Sequence, residues 1–179
     1  GIGDGSKAGV AAIKLNSGAL HGRNSEEVPA LVDFASAQGL DISFIEEMPL
    51  GDVGRSREQA YCSRAWVRER IAERYSLIDS AEQSGGPARY VRISGHPDTR
   101  IGFISPISQH FCDTCNRVRM TAEGRLLLCL GHEHALDMRG LLRRYPGEDG
   151  PVLDAIRQAL LRKPAQHTFG REDVQVLRF

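Results

Sequence analysis

Apolar and polar positions alternate in two different rhythms along the chain. Ala11 to Asn16 (Ala-Ala-Ile-Lys-Leu-Asn) is short and mostly apolar, which predicts a strand buried on both faces, with Lys14 as its one anomaly. After the turn-like stretch Ser17 to Asn24, Ser25 is placed to cap a helix in which Val28, Leu31, Val32 and Ala35 recur on one face. That helix ends near Gly39 and tolerates Pro29 in its first turn. Leu40 to Met48 predicts a second strand, stopped by Pro49 and Gly51. Strand, helix and strand of these lengths form a right-handed βαβ unit with a parallel pair. A further helix is predicted from Ser63 to Arg74.

Beyond Ser84-Gly85-Gly86-Pro87 the segments shorten. Strands are predicted at Ala88 to Ile93 and Arg100 to Ile104, then at Arg117 to Thr121 and Arg125 to Leu130, the last two as a hairpin. Helices over Leu136 to Arg144 and Val152 to Arg162 precede a short strand at Val174 to Leu177. The fold class is therefore α/β, with parallel βαβ structure over residues 1–84 and a smaller, mostly antiparallel α+β segment over 85–179. A two-strand βαβ piece cannot close a core alone. Its abrupt start at Gly1 leads us to expect that the preceding strands of a barrel or sheet are missing.

Composition narrows the chemistry. Lys plus Arg and Asp plus Glu each number 23, so no net charge draws the whole chain to a nucleic-acid backbone or an anionic membrane. Any anion site must be local. No apolar run approaches the ~18 residues of a membrane span, and no basic-then-apolar leader opens the chain, so a cytoplasmic protein is expected. Four cysteines are too few for a disulfide scaffold and direct attention to metal binding or catalysis. The glycine-rich start, Gly1 to Lys7, lacks the Gly-Lys-Ser/Thr order of a phosphate loop.

Three of the four cysteines can converge. Cys112 and Cys115 form a C-x2-C pair, and Cys129 lies at the far end of the predicted hairpin. If the hairpin loop is Ala122, Glu123 and Gly124, with Gly124 left-handed, Thr121 faces Arg125, Arg119 faces Leu127 and Arg117 faces Cys129. Both guanidiniums then share a face with the Cys129 thiol. A two-residue loop would shift the register and send them to the opposite face. Spacing alone leaves two metals open: zinc, with His132 or His134 as a fourth ligand in a structural or binding module, and an iron–sulfur cluster whose fourth iron is free. Arg117 and Arg119 suit an anionic substrate beside an open metal, because each planar guanidinium can grip a phosphate. Cys62 reads as an ordinary buried thiol.

These residues carry a family likeness. Phe44 to Pro49, Gly86 to Tyr90, Phe103 to Pro106, His110 to Arg119, Thr121 to Arg125, Cys129-Leu130, Lys163-Pro164 and His167 to Phe169 resemble the MoaA family, the radical-SAM GTP 3',8-cyclases of molybdenum-cofactor biosynthesis. The resemblance implies the C-terminal part of an incomplete radical-SAM (β/α) barrel. It implies a [4Fe–4S] cluster on Cys112, Cys115 and Cys129 with one open iron, GTP bound by Lys14, Arg117, Val118 and Arg119, and Met48 at the S-adenosylmethionine site. The family's reaction forms (8S)-3',8-cyclo-7,8-dihydroguanosine 5'-triphosphate, using a second [4Fe–4S] cluster on an N-terminal C-x3-C-x2-C triad. No cysteine precedes Cys62, so this chain is expected to be inactive alone, with no catalytic residue of its own and the N-terminal radical-SAM half as its partner. The family's Gly-Gly tail is also absent after Phe179. The likeness further implies a downstream cyclic pyranopterin monophosphate synthase and is compatible with a homodimer; it implies neither nucleic acid nor membrane.

Overall fold

The computed structural model describes residues 1–169 apart from Ala11, Asp52 and Glu133, so the strand expected at Val174 to Leu177 lies outside the described residues. The chain divides into two compact units, Gly1–Met48 with Gly54–His110, and Pro49–Val53 with the chain from Phe111 onward.

In the first unit a mixed sheet runs in the order β1 (Lys14–Gly18), β2 (Asp41–Ile45), β5 (His96–Ile104), β4 (Arg89–Ile93) and β3 (Leu77–Asp79). β1 and β5 are both parallel to β2, while β4 and β3 continue antiparallel. Thus β4 and β5, which follow the change of pattern at Ser84, share a sheet with β1 and β2.

β2 is an interior strand between β1 and β5, and Ile42, Ser43 and Phe44 are all buried, as expected of a strand covered on both faces. β1 differs from its sequence-based expectation. It sits at the sheet edge with Lys14, Asn16 and Gly18 exposed, because it has a partner on one side only. It also runs on into Ser17 and Gly18, and the turn that follows is closed by Asn24, which accepts from Leu20 N at 2.8 Å and donates to Gly18 O at 2.9 Å.

The helix after β1 starts later than the Ser25 cap predicts. Ser25–Glu27 forms a 3-10 turn, Ser25 is buried and caps nothing, and α2 spans Val28–Ala37 with Pro29 in its first turn. Gly39, at φ 62°, ends it as expected, and Leu40 N reaches back to Ala35 O at 2.9 Å. Two helices not foreseen, α1 (Ile2–Lys7) and α3 (Arg57–Ala60), are each under two turns. Helix α4 (Arg64–Ala72) follows its prediction closely, with the Ser63 hydroxyl accepting from Trp66 N at 3.2 Å. Val28, Val32 and Ala35 of α2 and Val67 and Ile71 of α4 close on Ile42, Phe44, Val91, Ile93, Ile101 and Phe103 of the sheet.

β2 ends at Ile45, short of the predicted Met48, and the next residue is a buried carboxylate. Glu46 is 4% exposed and accepts from Arg64 N at 2.8 Å, Ile107 N at 3.1 Å, Ser108 N at 2.9 Å and the Ser108 hydroxyl. It thereby ties the start of α4 and the loop after β5 to the C-terminal end of the parallel strands. Burial, reinforced by the charge of Glu46 and a hydrogen bond to it, pushes the Tyr61 phenol from its usual value of about 10 up to about 12. A phenol held neutral in the fold stabilises fully below pH 10 and loses that contribution as pH rises through about 12. Chemical denaturation between those limits should show stability falling with pH, and Tyr61→Phe should flatten the fall relative to wild type. An unchanged slope would disprove this assignment.

The second unit contains a small antiparallel sheet, β6 (Arg119–Met120), β7 (Arg125–Leu127) and β8 (Ala135–Asp137), backed by α5 (Met138–Arg144) and α6 (Asp149–Leu161). Leu136, assigned by periodicity to the first turn of a helix, instead pairs with Leu126 in the sheet. The helix begins after Asp137, whose carboxylate accepts from Gly140 N at 2.9 Å. Leu126, Met138 and Val152 form the core here, with Leu136, Leu141 and Ile156 packed against them. Among the described residues no helix is long and apolar enough to cross a membrane.

Candidate functional site

The second unit holds the three cysteines singled out by spacing. Cys112–Thr114 is a single 3-10 turn, closed by Cys115 N donating to Cys112 O at 3.2 Å, so the C-x2-C pair springs from one tight loop. Cys129 follows β7, and its sulfur accepts from Gly131 N at 3.4 Å. All three thiols are half-buried. Burial pushes the Cys129 thiol up, the Gly131 N–H draws it back, and smaller effects come from Cys112 (up), Lys163 (down) and Cys115 (up). The three sulfurs therefore share one electrostatic neighbourhood.

They do not form a closed coordination set: among the described residues no group of three or more His, Cys, Asp or Glu side chains stands at metal-holding geometry. In donor chemistry the residues nonetheless fit a thiophilic centre, with three soft sulfurs, a backbone N–H on one of them and a cation nearby. The Nε2 atom of His132 is 2.9 Å from Gln166 O, and its ring stacks on His134.

The hairpin takes the three-residue loop. Arg119 pairs with Leu127 and Met120 with Leu126, Thr121 N donates to Arg125 O at 2.9 Å, and Gly124 has φ 80°. A Cβ on Gly124 would also come within 2.8 Å of Arg139 Cβ, so the turn admits no larger residue without a shift. The ladder is shorter than expected. It stops at Arg119 and Leu127, and since Leu126, Leu127 and Leu128 are all buried, strict alternation is lost before Cys129. Arg117 and Cys129 therefore lie beyond the paired residues, and the predicted common face cannot be read from strand alternation there. The Arg117 guanidinium stands 6.0 Å over the Phe111 ring, while Val118 and Arg119 are exposed.

Lys14 and Met48 lie in the first unit. Lys14 opens β1 opposite Asp41, and its ammonium donates to the Tyr90 hydroxyl at 2.8 Å and lies 5.0 Å from the ring centroid. The same hydroxyl is 2.8 Å from Ser84 Oγ. Met48 is half-buried in the loop beyond the other end of the parallel strands, the C-terminal end. Cys62 is 2% exposed in the core of this unit, an ordinary buried thiol whose pKa burial raises.

Two features escaped the sequence reading. Glu46 gave a signal as an acid closing an apolar run, but its partners come from distant segments. Lys163 drew notice only as part of a family motif. Its ammonium donates to Arg117 O at 2.5 Å and to Leu128 O at 2.7 Å, joining the segment after Cys115 to the segment before Cys129.

Fold and site together define a mixed α/β chain with three half-buried thiols in the unit that carries an arginine-bearing hairpin. Residues 40–169 match the family described as Molybdenum Cofactor Synthesis C, and the chain belongs to that family. It is 66% identical over 180 residues to GTP 3',8-cyclase 1 of Pseudomonas aeruginosa, the match covering all of this chain and 55% of that protein. It is 54% identical over 174 residues to GTP 3',8-cyclase of Pseudomonas fluorescens and 52% over 176 residues to that of Marinobacter nauticus, each match covering 96% of this chain and 52% of the relative. The chain thus spans about half the length of these curated relatives.

Proposed function

We propose that this chain provides the substrate-binding portion of a GTP 3',8-cyclase of molybdenum-cofactor biosynthesis. Cys112, Cys115 and Cys129 hold a [4Fe–4S] cluster, and Arg117, Val118 and Arg119 engage GTP. The observation that carries this reading is that three half-buried cysteines, two of them from one tight turn, lie in the unit that carries the arginines, with the Lys163 ammonium bonding a carbonyl on the chain beside each limb. A cluster bound by three cysteines supplies one iron able to take a substrate atom. The protein's part is to bind and orient: guanidiniums grip the triphosphate, and Val118, exposed just before β6, offers an apolar surface. β1, β2 and β5 serve as parallel wall strands of a radical-SAM barrel, with Met48, beyond the C-terminal end of β2, bordering S-adenosylmethionine. The chain has no cysteine before Cys62 and turns over GTP only with a radical-generating half that brings the C-x3-C-x2-C triad.

Anaerobic reconstitution of the chain with iron and sulfide tests this reading. Roughly four irons per chain, an iron–sulfur absorption band and a change in the spectrum on adding GTP are expected. One tightly held zinc, no chromophore and indifference to GTP would replace it with a structural zinc module.

A further inference from the structure

The segment that follows α6 does more than leave the helix. Lys163 N still bonds Leu160 O at 3.1 Å, so the residue completes the last helical turn before Pro164 ends it. From there four contacts fasten 163–169 to the limbs that carry the candidate ligands. The Lys163 ammonium takes the carbonyls of Arg117 and Leu128, Thr168 Oγ1 donates to Gly131 O at 2.7 Å, and His132 Nε2 meets Gln166 O. Packing at Gly131 is tight enough that a Cβ would come within 2.8 Å of His167 Cβ and 3.2 Å of the Phe169 ring.

We propose that Lys163 is the positioning residue of the three-thiol site, a cationic clasp that sets the Cys112–Arg117 limb against the Cys129 limb. β6 and β7 pair only from Arg119 to Leu127, so strand hydrogen bonds hold neither Arg117 nor Leu128. One ammonium spanning both carbonyls supplies the missing closure. It is suited to this because an ammonium donates three hydrogen bonds from one point. The inference rests on the proposed cluster reading for its purpose, although the clasp itself is a property of the protein alone.

The test uses the full chain as wild type, Lys163→Met, Lys163→Arg and, as a control, Val91→Ala in the core of the first unit. After reconstitution, Lys163→Met should lose iron to a chelator about ten- to a hundred-fold faster than wild type, as removal of an outer-shell partner does. Lys163→Arg, which can still donate to both carbonyls, should recover most of the retention, and Val91→Ala should retain iron normally. In metal-free protein, Lys163→Met should speed amide exchange at 117–120 and 128–132 but not across the β7–β8 pairing. The proposal is overturned if Lys163→Met holds iron as wild type does, if Val91→Ala leaks equally, or if exchange in the two limbs is unchanged. If wild type takes up no cluster, the functional reading fails, and the exchange data alone decide the clasp.

Discussion

Glu46→Ala should destabilise the chain by roughly 3 kcal/mol, counting about 1 kcal/mol for each backbone N–H left without its acceptor. The three donors are Arg64, Ile107 and Ser108, and they come from two segments, 18 and more than 60 residues away along the chain. Removing the carboxylate orphans all three at once and releases the Ser108 and Tyr61 hydroxyls. Glu46→Gln should fall between alanine and wild type, since the amide keeps one acceptor oxygen but turns an N–H2 toward a donor. Urea denaturation at pH 7 measures both. A midpoint for Glu46→Ala within error of wild type would show that water replaces the carboxylate at no cost.

The second large effect concerns the metal. Cys129→Ala should reduce bound iron from roughly four atoms per chain to fewer than one after gel filtration with a chelator. Cys112 and Cys115 share a single turn and together offer two sulfurs, too few to hold a cluster against competition. Thermal melting of the metal-free variant should change little, since the thiol is half-buried and accepts only a weak N–H to sulfur contact from Gly131 among the described residues. Retention of the full iron content and an unaltered spectrum would remove Cys129 from the ligand set and with it the proposed centre.

Much of this was readable from the chain because it depends on local chemistry. The hairpin and its left-handed Gly124 were legible, and of the two loop lengths left open the structure takes the three-residue one. The β1–α2–β2 parallel unit followed from apolar periodicity, and the helix predicted from Ser63 was found as α4. The misreadings arose where a distant partner overrode a local signal. Leu136 fits a helical face with Leu141, but pairing with Leu126 takes it into a strand. β5 begins at His96, amid a polar stretch no hydrophobic pattern would mark, because β4 folds back onto it through Gly95. Ser25 has the chemistry of a cap, yet it is buried in a 3-10 turn and the helix starts at Val28. Spacing put the thiols forward as a candidate set, while the clasp of Lys163 left no signal, because its two acceptors are carbonyls and carbonyls leave no trace in a sequence.

Helix α6 acquires a dimension from this arrangement. Val152 and Ala159 are buried and Ile156 packs on the core of the second unit, which fixes the helix in rotation as well as in place. Each residue of an α-helix advances about 1.5 Å and turns about 100°. Gaining or losing one residue between Ile156 and Lys163 would leave the apolar face seated yet swing the ammonium away from both carbonyls. The number of residues in that stretch is thus a gauge, set by the distance from a hydrophobic anchor to a pair of oxygens, and lineages that keep the site should tolerate exchanges of side chain there far more readily than changes of length.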